Sequence, residues 1–205
     1  LFNQQTKSFL CVDLDTKLHH MRDRFGVTTR EQSGPVSRAV FQIKKADKVY
    51  NDMDRMFEEQ GSNDLHYGQT FSLSTVPELG GPYYLRSQIV SHTTASPISK
   101  FQEVSVDVVL DHHSSWICEY INPQYRPEYE GEIVRGNRPL LIKHSDTHQL
   151  LGSGAKRMVY NDFGMEHEVY SKTMLNGRRV EEDNNVWCLV YAKPDSLKLP
   201  DERDS

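Results

Sequence analysis

HSDTHQLL, residues 144–151, repeats a spacing that the chain also uses near its start, in NQQTKSFL at residues 3–10. In both stretches a turn-forming polar residue is followed three positions later by a threonine, and four positions after that by a leucine. The matching residues are Asn3, Thr6 and Leu10 in one stretch and His144, Thr147 and Leu151 in the other. Internal recurrence of this kind predicts a fold assembled from repeated units.

A second recurring feature is a short apolar strand built around one large aromatic residue. It occurs as AVFQI at residues 39–43, SSWIC at 114–118 and NVWCL at 185–189. The aromatic lies 31, 31 and 36 positions after a leucine in an earlier strand-like stretch. We therefore predict a core in which a leucine and an aromatic from each third of the chain converge, namely Leu10, Phe41, Leu85, Trp116, Leu151 and Trp187.

Strand signals are densest in the middle third, where GQTFSLS, YYLRSQ, FQEVSVDVVL and SSWICEYI follow one another. Phe71 and Leu73, and then Val104, Val106 and Val108, recur at a period of two, as apolar residues do in half-buried strands whose successive side chains point to opposite faces. The last third repeats the plan with RPLLIKH, QLLGSG, EHEVYSKTML and NVWCLVYA. The first third shows FLCV, FGVTTR and AVFQIKK, and Leu1 and Phe2 resemble the tail of an opening strand.

Three units of four strands predict an all-β protein with a β-trefoil fold, in which six strands close a short barrel and three hairpins cap it. We expect one domain over residues 1–193, with repeats at about 1–45, 65–122 and 131–193 and with its first strand missing. A β-sandwich also uses many short strands. The threefold phasing favours the trefoil.

Two segments fall outside this repeat. Residues 46–64 place Val49, Met53, Met56 and Phe57 at helical spacing, which predicts a short helical insertion that caps the domain. Residues 194–205 are charged and interrupted by proline, which predicts a flexible C-terminal tail.

Composition excludes several classes of protein. The chain has 205 residues, a net charge of −5 and no dense run of Lys or Arg, so we expect no nucleic-acid partner, because phosphate contacts supply most of that affinity. No apolar run approaches the roughly 20 residues that cross a bilayer, and we expect no membrane partner. Three widely spaced cysteines favour buried thiols over a disulfide framework.

The search for chemistry predicts neither an enzyme nor a cofactor. His112 and His113 are adjacent, and adjacent side chains on an extended chain diverge, which predicts a turn and no metal site. His144 and His148 flank another turn and would need further ligands from elsewhere. GSGAK at residues 152–156 lacks the spacing of a phosphate-binding loop and predicts a hairpin turn.

EYEGEIVRGNRPLLIKHSDTHQLLGS, residues 128–153, resembles the MIR-type trefoil pattern. More widely, LHYGQTFSL, LRS, SSWICEYINP, RPEYEG, LLIKHSDT and EEDNNVWCLV resemble the cilia- and flagella-associated protein 161 family, from about residue 65 to residue 191. The resemblance implies a non-catalytic microtubule inner protein. Such a protein would bind α/β-tubulin and neighbouring inner proteins in the lumen of axonemal doublet microtubules.

Exposed aromatic and arginine side chains in the connecting segments are the candidates for partner contact, because these residue types are enriched at interfaces. They are Tyr125, Arg126, Tyr129, Arg138, Arg157, Tyr160 and Phe163. Two alternatives stay open: a carbohydrate-binding trefoil lectin, and a protein-binding MIR module of the endoplasmic reticulum lumen.

Overall fold

Twelve β-strands make up most of the regular structure in the computed structural model, which describes residues 1–18, 24–32, 36–46, 54–56 and 63–191. The strands are β1 (Phe2–Asn3), β2 (Ser8–Lys17), β3 (Phe25–Arg30), β4 (Phe41–Lys45), β5 (Thr70–Thr75), β6 (Tyr84–Ser87), β7 (Gln102–Asp107), β8 (Trp116–Tyr120), β9 (Pro139–His144), β10 (Leu151–Asn161), β11 (Gly164–Ser171) and β12 (Val186–Cys188). A short helix, α1 (Arg126–Tyr129), follows β8. Single 3-10 turns occur at Ser37–Ala39, Pro77–Leu79, His112–Ser114 and Asp183–Asn185.

Ten of these strands form a closed circuit in the order β11-β3-β2-β1-β12-β9-β8-β5-β6-β7, and β7 returns to pair with β11. All the pairings in the circuit are antiparallel. The other two strands are attached to it, β10 against β11 and β4 against β5. Closure leaves the strands of the circuit without a free edge, which removes a template for aggregation.

The predicted three-repeat β-trefoil is therefore wrong, although the prediction of an all-β fold with few helices is correct. The trefoil prediction required a six-strand barrel capped by three hairpins, whereas the structure is a ten-strand closed barrel. The physical reason is that closure depends on pairings between distant segments, such as β1 with β12 and β7 with both β3 and β11. Spacing along the chain shows which local units recur but does not show how many strands close the sheet.

The recurring spacing corresponds to the same turn made twice. Asn3 Oδ1 accepts hydrogen bonds from the backbone N–H and the hydroxyl of Thr6, each at 3.1 Å. His144 Nδ1 likewise accepts from the N–H of Thr147 at 3.3 Å and pairs with its hydroxyl at 2.9 Å. The next residue has positive φ in both turns, 50° at Lys7 and 56° at His148. Each turn thus reverses the chain and leads it to a fully buried leucine.

The core is centred on the two tryptophans. Leu10, Leu85, Trp116, Leu151 and Trp187 are all fully buried. Each indole N–H donates to the carbonyl of the leucine at the predicted spacing, Trp116 to Leu85 at 2.9 Å and Trp187 to Leu151 at 3.0 Å. These bonds satisfy the polar atom of a buried aromatic.

Phe41 differs from the other five predicted core residues, because it is only partly buried. It begins β4, which pairs with β5 outside the closed circuit. Its ring lines an open apolar groove of about 270 Å³ together with Leu1, Phe9 and Tyr191. It therefore packs on the outside of the core cluster.

A buried carboxyl group, Glu103 in β7, faces two arginines without a hydrogen-bond partner for Oε2. Burial raises the pKa of Glu103 to about 7, although Arg24 and Arg86 act to lower it. The unfolded chain loses this proton near the ordinary value of about 4.5. The contribution of Glu103 to stability is therefore present below pH 4.5 and is lost as the pH rises through 7.

We expect Glu103→Gln to stabilise the protein relative to the wild type, because the amide has no charge to bury. The gain in the free energy of unfolding should be about 1–3 kcal/mol larger at pH 8 than at pH 5. Chemical denaturation at both pH values measures this difference. Glu128→Gln, at an exposed position, is the control and should show almost no difference. If Glu103→Gln changed the free energy of unfolding equally at both pH values, the pKa of Glu103 would not be raised in the folded protein.

Two sequence-based predictions lie largely outside the described residues. Of the predicted helical insertion, residues 54–56 are described and are helical. The predicted tail, residues 194–205, is not described. Among the described residues, no helix is long and apolar enough to cross a membrane.

Candidate functional site

Four of the predicted contact residues lie in the connector patch, which we define as residues 121–138 between β8 and β9. The guanidinium of Arg126 in α1 points inward: Nε donates to the carbonyl of Tyr120 at 2.9 Å, and Nη2 donates to Glu181 at 2.7 Å. A third contact places Nη1 3.7 Å from Glu119. Arg126 thus ties α1 to the barrel, and its donors are used within the chain.

Tyr129 is also part of the scaffold. Its ring stacks on Tyr120 with centroids 3.7 Å apart and planes 3° from parallel, and Tyr67 packs edge-on against both rings. Burial, followed by the neighbouring Cys118 and the two tyrosines, raises the pKa of Tyr67 to about 12. Tyr125, 47% exposed, and the exposed Arg138 are the candidates in the connector patch that remain open to a partner.

Beside this tyrosine cluster lies a cleft of about 440 Å³ with a charged wall. Its lining includes Tyr67, Tyr120, Arg126, Glu130 and Lys143. The ammonium group of Lys143 and the guanidinium of Arg126 both face the carboxylate of Glu119. Opposite charges within the wall therefore largely neutralise one another.

The other three candidates lie in the long β10–β11 hairpin, whose end, residues 160–165, we call the hairpin tip. Tyr160 is 80% exposed, and the directly paired residue on β11, Met165, is 59% exposed. Cross-strand partners lie on the same face of a sheet, so the two side chains form one exposed apolar surface. Sequence analysis missed Met165, because its role depends on the register of the hairpin.

Arg157 and Phe163 are held by cation–π contacts within the chain. The guanidinium of Arg157 lies 4.7 Å from the ring centroid of Phe101 and 5.1 Å from that of Tyr170. Arg38 lies 3.8 Å from the ring centroid of Phe163, which keeps one partly exposed face. Both residues therefore brace the hairpin.

The turn at the hairpin tip has a local cause. Asn161 pairs with Gly164, leaving two residues in the loop, and Asn161 Oδ1 accepts a hydrogen bond from the N–H of Phe163 at 2.9 Å. Gly164 has a φ of 103°, which only glycine adopts without strain. The turn fixes the direction in which the tip projects.

The connector patch and the hairpin tip lie on different sides of the barrel. The patch follows β8, and the tip lies where β10 ends and β11 begins. In the circuit these two strands are separated by β5, β6 and β7 on one side and by five strands on the other. The seven predicted residues thus form two surfaces and do not converge on one cleft.

The buried thiols and the most buried histidine have environments that suppress reactivity. Burial raises the pKa of Cys11 to about 11 and also raises the pKa values of Cys118 and Cys188, which disfavours the nucleophilic thiolate. Burial lowers the pKa of His144 to about 4. Its Nε2 faces the carbonyl of His113 at 2.9 Å and therefore carries the proton.

Within the part of the chain that the structure describes, one group of side chains has the arrangement of metal ligands. His112 and His113 lie on a 3-10 turn with their ring centroids 3.9 Å apart, and one ligand atom from each lies within 4.8 Å of the other and of a carboxylate oxygen of Asp146. The predicted turn is present, and because the chain is not extended here, the two imidazoles lie side by side and do not diverge.

Both surfaces and this His/Asp group fall in the part of the chain with known relatives. A family model of the cilia- and flagella-associated protein 161-like domain matches residues 95–192. Residues 95–192 are therefore similar to this family. The resemblance predicted from the sequence is confirmed.

Individual members of the family give the same result. Cilia- and flagella-associated protein 161 of Danio rerio is 34% identical over 137 residues, which cover 65% of this chain and 46% of the relative. The protein of the same name from Mus musculus is 35% identical over 129 residues, covering 62% and 43%. The chain thus spans a little under half the length of these relatives.

Solved structures share the fold at lower sequence identity. The crystal structure of the SDF2-like protein from Arabidopsis thaliana has a TM-score of 0.62 and 21% identity, covering 91% of this chain and 88% of the other. A Caenorhabditis elegans protein of unknown function also has a TM-score of 0.62, at 18% identity, covering 91% and 89%. At these identities the similarity concerns the fold alone.

Proposed function

We propose that this chain is a non-catalytic structural protein of the ciliary or flagellar axoneme, which binds tubulin and neighbouring proteins in the lumen of doublet microtubules and stabilises them. The observation that carries the proposal is the family match over residues 95–192, a family of cilia- and flagella-associated proteins. The connector patch and the hairpin tip both lie inside this segment.

The shape of the molecule suits a scaffold. A closed barrel with a tryptophan-centred core resists deformation, and its two exposed surfaces lie on different sides of the circuit. A protein that contacts partners on different sides can tie them together. Stable retention would require a total interface above about 1,000 Å², which two or more surfaces can supply together.

The chemistry of the buried groups is consistent with a non-catalytic role. The three thiols are buried with raised pKa values, and the ring nitrogens of His144 are engaged by Thr147 and by a backbone carbonyl. These side chains support the fold. The charged wall of the cleft beside the tyrosine cluster is likewise committed to internal ion pairs.

The acidic net charge is compatible with this location. Surface charge mainly steers association and determines specificity, so binding need not depend on a basic patch. At the hairpin tip Tyr160, Phe163 and Met165 expose apolar and aromatic surface beside the exposed carboxylate of Asp162. Such side chains are the type that dominates the energetics of protein–protein interfaces.

Cross-linking in isolated axonemes tests the proposal. Lys156 is exposed on β10 near the hairpin tip, so an amine-reactive cross-linker followed by mass spectrometry should join Lys156 to lysines on the luminal face of tubulin or to another inner protein. Cross-links only to proteins outside the doublet would contradict the proposal.

The hairpin tip should contribute directly to retention. In cells that lack the endogenous protein, a Tyr160→Ala/Met165→Ala variant should show at least about tenfold weaker retention in axonemes, because two exposed anchors are removed. Its folding stability should change by less than about 1 kcal/mol, since surface substitutions rarely cost more.

The matched control is Ile89→Ala/Val90→Ala, which removes two exposed apolar side chains elsewhere on the surface. Axonemal retention is measured by quantitative blotting against tubulin. Equal retention of the two double variants would remove the hairpin tip from the interface.

A further inference from the structure

Two turns at neighbouring strand ends bring a pair of histidines against an aspartate. The 3-10 turn His112–Ser114 joins β7 to β8, and the turn after β9 carries Asp146. Asp111 caps the first turn by accepting a hydrogen bond from the N–H of His113 at 3.0 Å. This cap holds the two imidazoles on one side, with ring centroids 3.9 Å apart.

The two turns are fixed to each other by bonds that do not use the side chains of the group. The N–H of Ser145 donates to the carbonyl of Ser115 at 2.9 Å, and Nε2 of His144 donates to the carbonyl of His113 at 2.9 Å. These bonds set the distance between the histidines and Asp146. The positions of the two turns, and with them the separation of His113 from Asp146, are therefore set by the fold.

His113 supplies a second, independent observation. Its Nδ1 atom is withdrawn from solvent and has no hydrogen-bond partner within the described chain. Oδ2 of Asp146 lies 3.6 Å from it, beyond hydrogen-bond distance. Buried polar atoms are almost always satisfied, and a metal cation between this nitrogen and the carboxylate would satisfy both groups.

We propose that His112, His113 and Asp146 bind a divalent transition-metal cation of the zinc class. Imidazole nitrogen and carboxylate oxygen bind Zn²⁺ at about 2.0–2.2 Å in a tetrahedral site, so two ligand atoms would lie roughly 3.3–3.5 Å apart. The 3.6 Å between His113 and Asp146 is close to this separation. His112 is exposed and can rotate to complete the set.

Three protein ligands leave one position for water or for a group from a partner. The nearby cation Arg86 is paired with Asp107 at 2.7 Å and with Asp111 at 3.4 Å, which reduces its repulsion of a bound metal. A metal here would cross-link the β7–β8 and β9–β10 turns. This site does not depend on the proposed role in the axoneme.

Isothermal titration of the EDTA-treated chain with ZnCl₂, in a buffer that does not chelate zinc, tests the site. The wild type should bind one Zn²⁺ per chain at the group, and its Tm should rise with added Zn²⁺ because the metal binds the folded form. His112→Asn/His113→Asn should weaken binding at least tenfold and abolish the rise in Tm.

The matched control is His19→Asn/His20→Asn, which removes another adjacent pair of histidines and should leave binding unchanged. Asp146→Asn, at a half-exposed position, should also weaken Zn²⁺ binding, and it gives a second test if the histidine variant is unstable in EDTA. No binding by the wild type, or an equal loss in the control, would overturn the proposal.

Discussion

Replacing Trp187 with alanine is expected to lower the free energy of unfolding by about 3–5 kcal/mol, because truncation of a buried tryptophan leaves a large cavity. Trp187 is fully buried in β12, between β1 and β9. The substitution also removes the indole donor that satisfies the carbonyl of Leu151. Denaturant unfolding measures the loss, and Tm should fall by more than about 6 °C.

Tyr191→Ala is the matched control, since it truncates a large aromatic that is mostly exposed a few residues further on. It should cost less than about 1 kcal/mol. If Trp187→Ala lowered Tm by only one or two degrees, the core would not be centred on the tryptophans.

Replacing Arg38 with alanine should have an effect of similar size, about 3–5 kcal/mol, because it leaves a buried carboxylate without its main cationic partner. The side chain of Glu166 is fully buried and pairs with Arg38, whereas Thr28 and Asn161 donate to the same carboxylate at 2.6 and 2.9 Å. Although burial acts to raise the pKa of Glu166, the hydrogen bonds from Arg38, Thr28 and Asn161 hold it below its ordinary value.

Arg30→Ala is the control for this prediction. Arg30 lies 3.5 Å from the same carboxylate, but its side chain is 43% exposed against 12% for Arg38. Its loss should cost less than about 1 kcal/mol. The cost of Arg38→Ala should also shrink between pH 7 and pH 4, because protonation of Glu166 removes the unpaired charge. If Arg38→Ala and Arg30→Ala lowered the free energy of unfolding equally, Arg38 would not be the main partner of Glu166.

Local patterns in the sequence led to several correct features of the fold. Leucine and tryptophan recur at fixed spacing, and those residues lie at the centre of the barrel joined by indole hydrogen bonds. The turn signal shared by Asn3 and His144 corresponds to one geometry made twice. The turns depend on residues that are close in sequence, and the core residues are buried because they are apolar. Spacing and residue type reveal both properties.

The closure of the sheet could not be predicted in the same way. The trefoil prediction followed from counting strands, whereas the ten-strand circuit depends on which distant edges meet. The pairing of the two-residue strand β1 with β12 has no local signal. The half-buried position of Phe41 follows from the same cause, because β4 lies outside the circuit.

For the candidate contact surfaces, the sequence indicated which residue types matter but not which of those side chains remain exposed. The sequence pattern predicts Arg126, Tyr129 and Arg157 as exposed contact residues, but each has an internal partner far away in sequence. These partners are Glu181, Tyr67 and Phe101. Sequence analysis missed Met165, because its position beside Tyr160 follows from the register of the β10–β11 hairpin. Long side chains satisfy distant partners, and sequence alone does not show which ones.

We proposed that the chain is held inside the doublet microtubule, and sequential extraction of axonemes carrying a tagged copy is the decisive experiment. High salt removes proteins bound outside the doublet, and a detergent that opens the doublet wall then releases those within. We expect the protein to stay with the axoneme through the salt wash and to be released when the wall opens. Release in salt, or absence from the axoneme, would show that the chain is not a luminal protein.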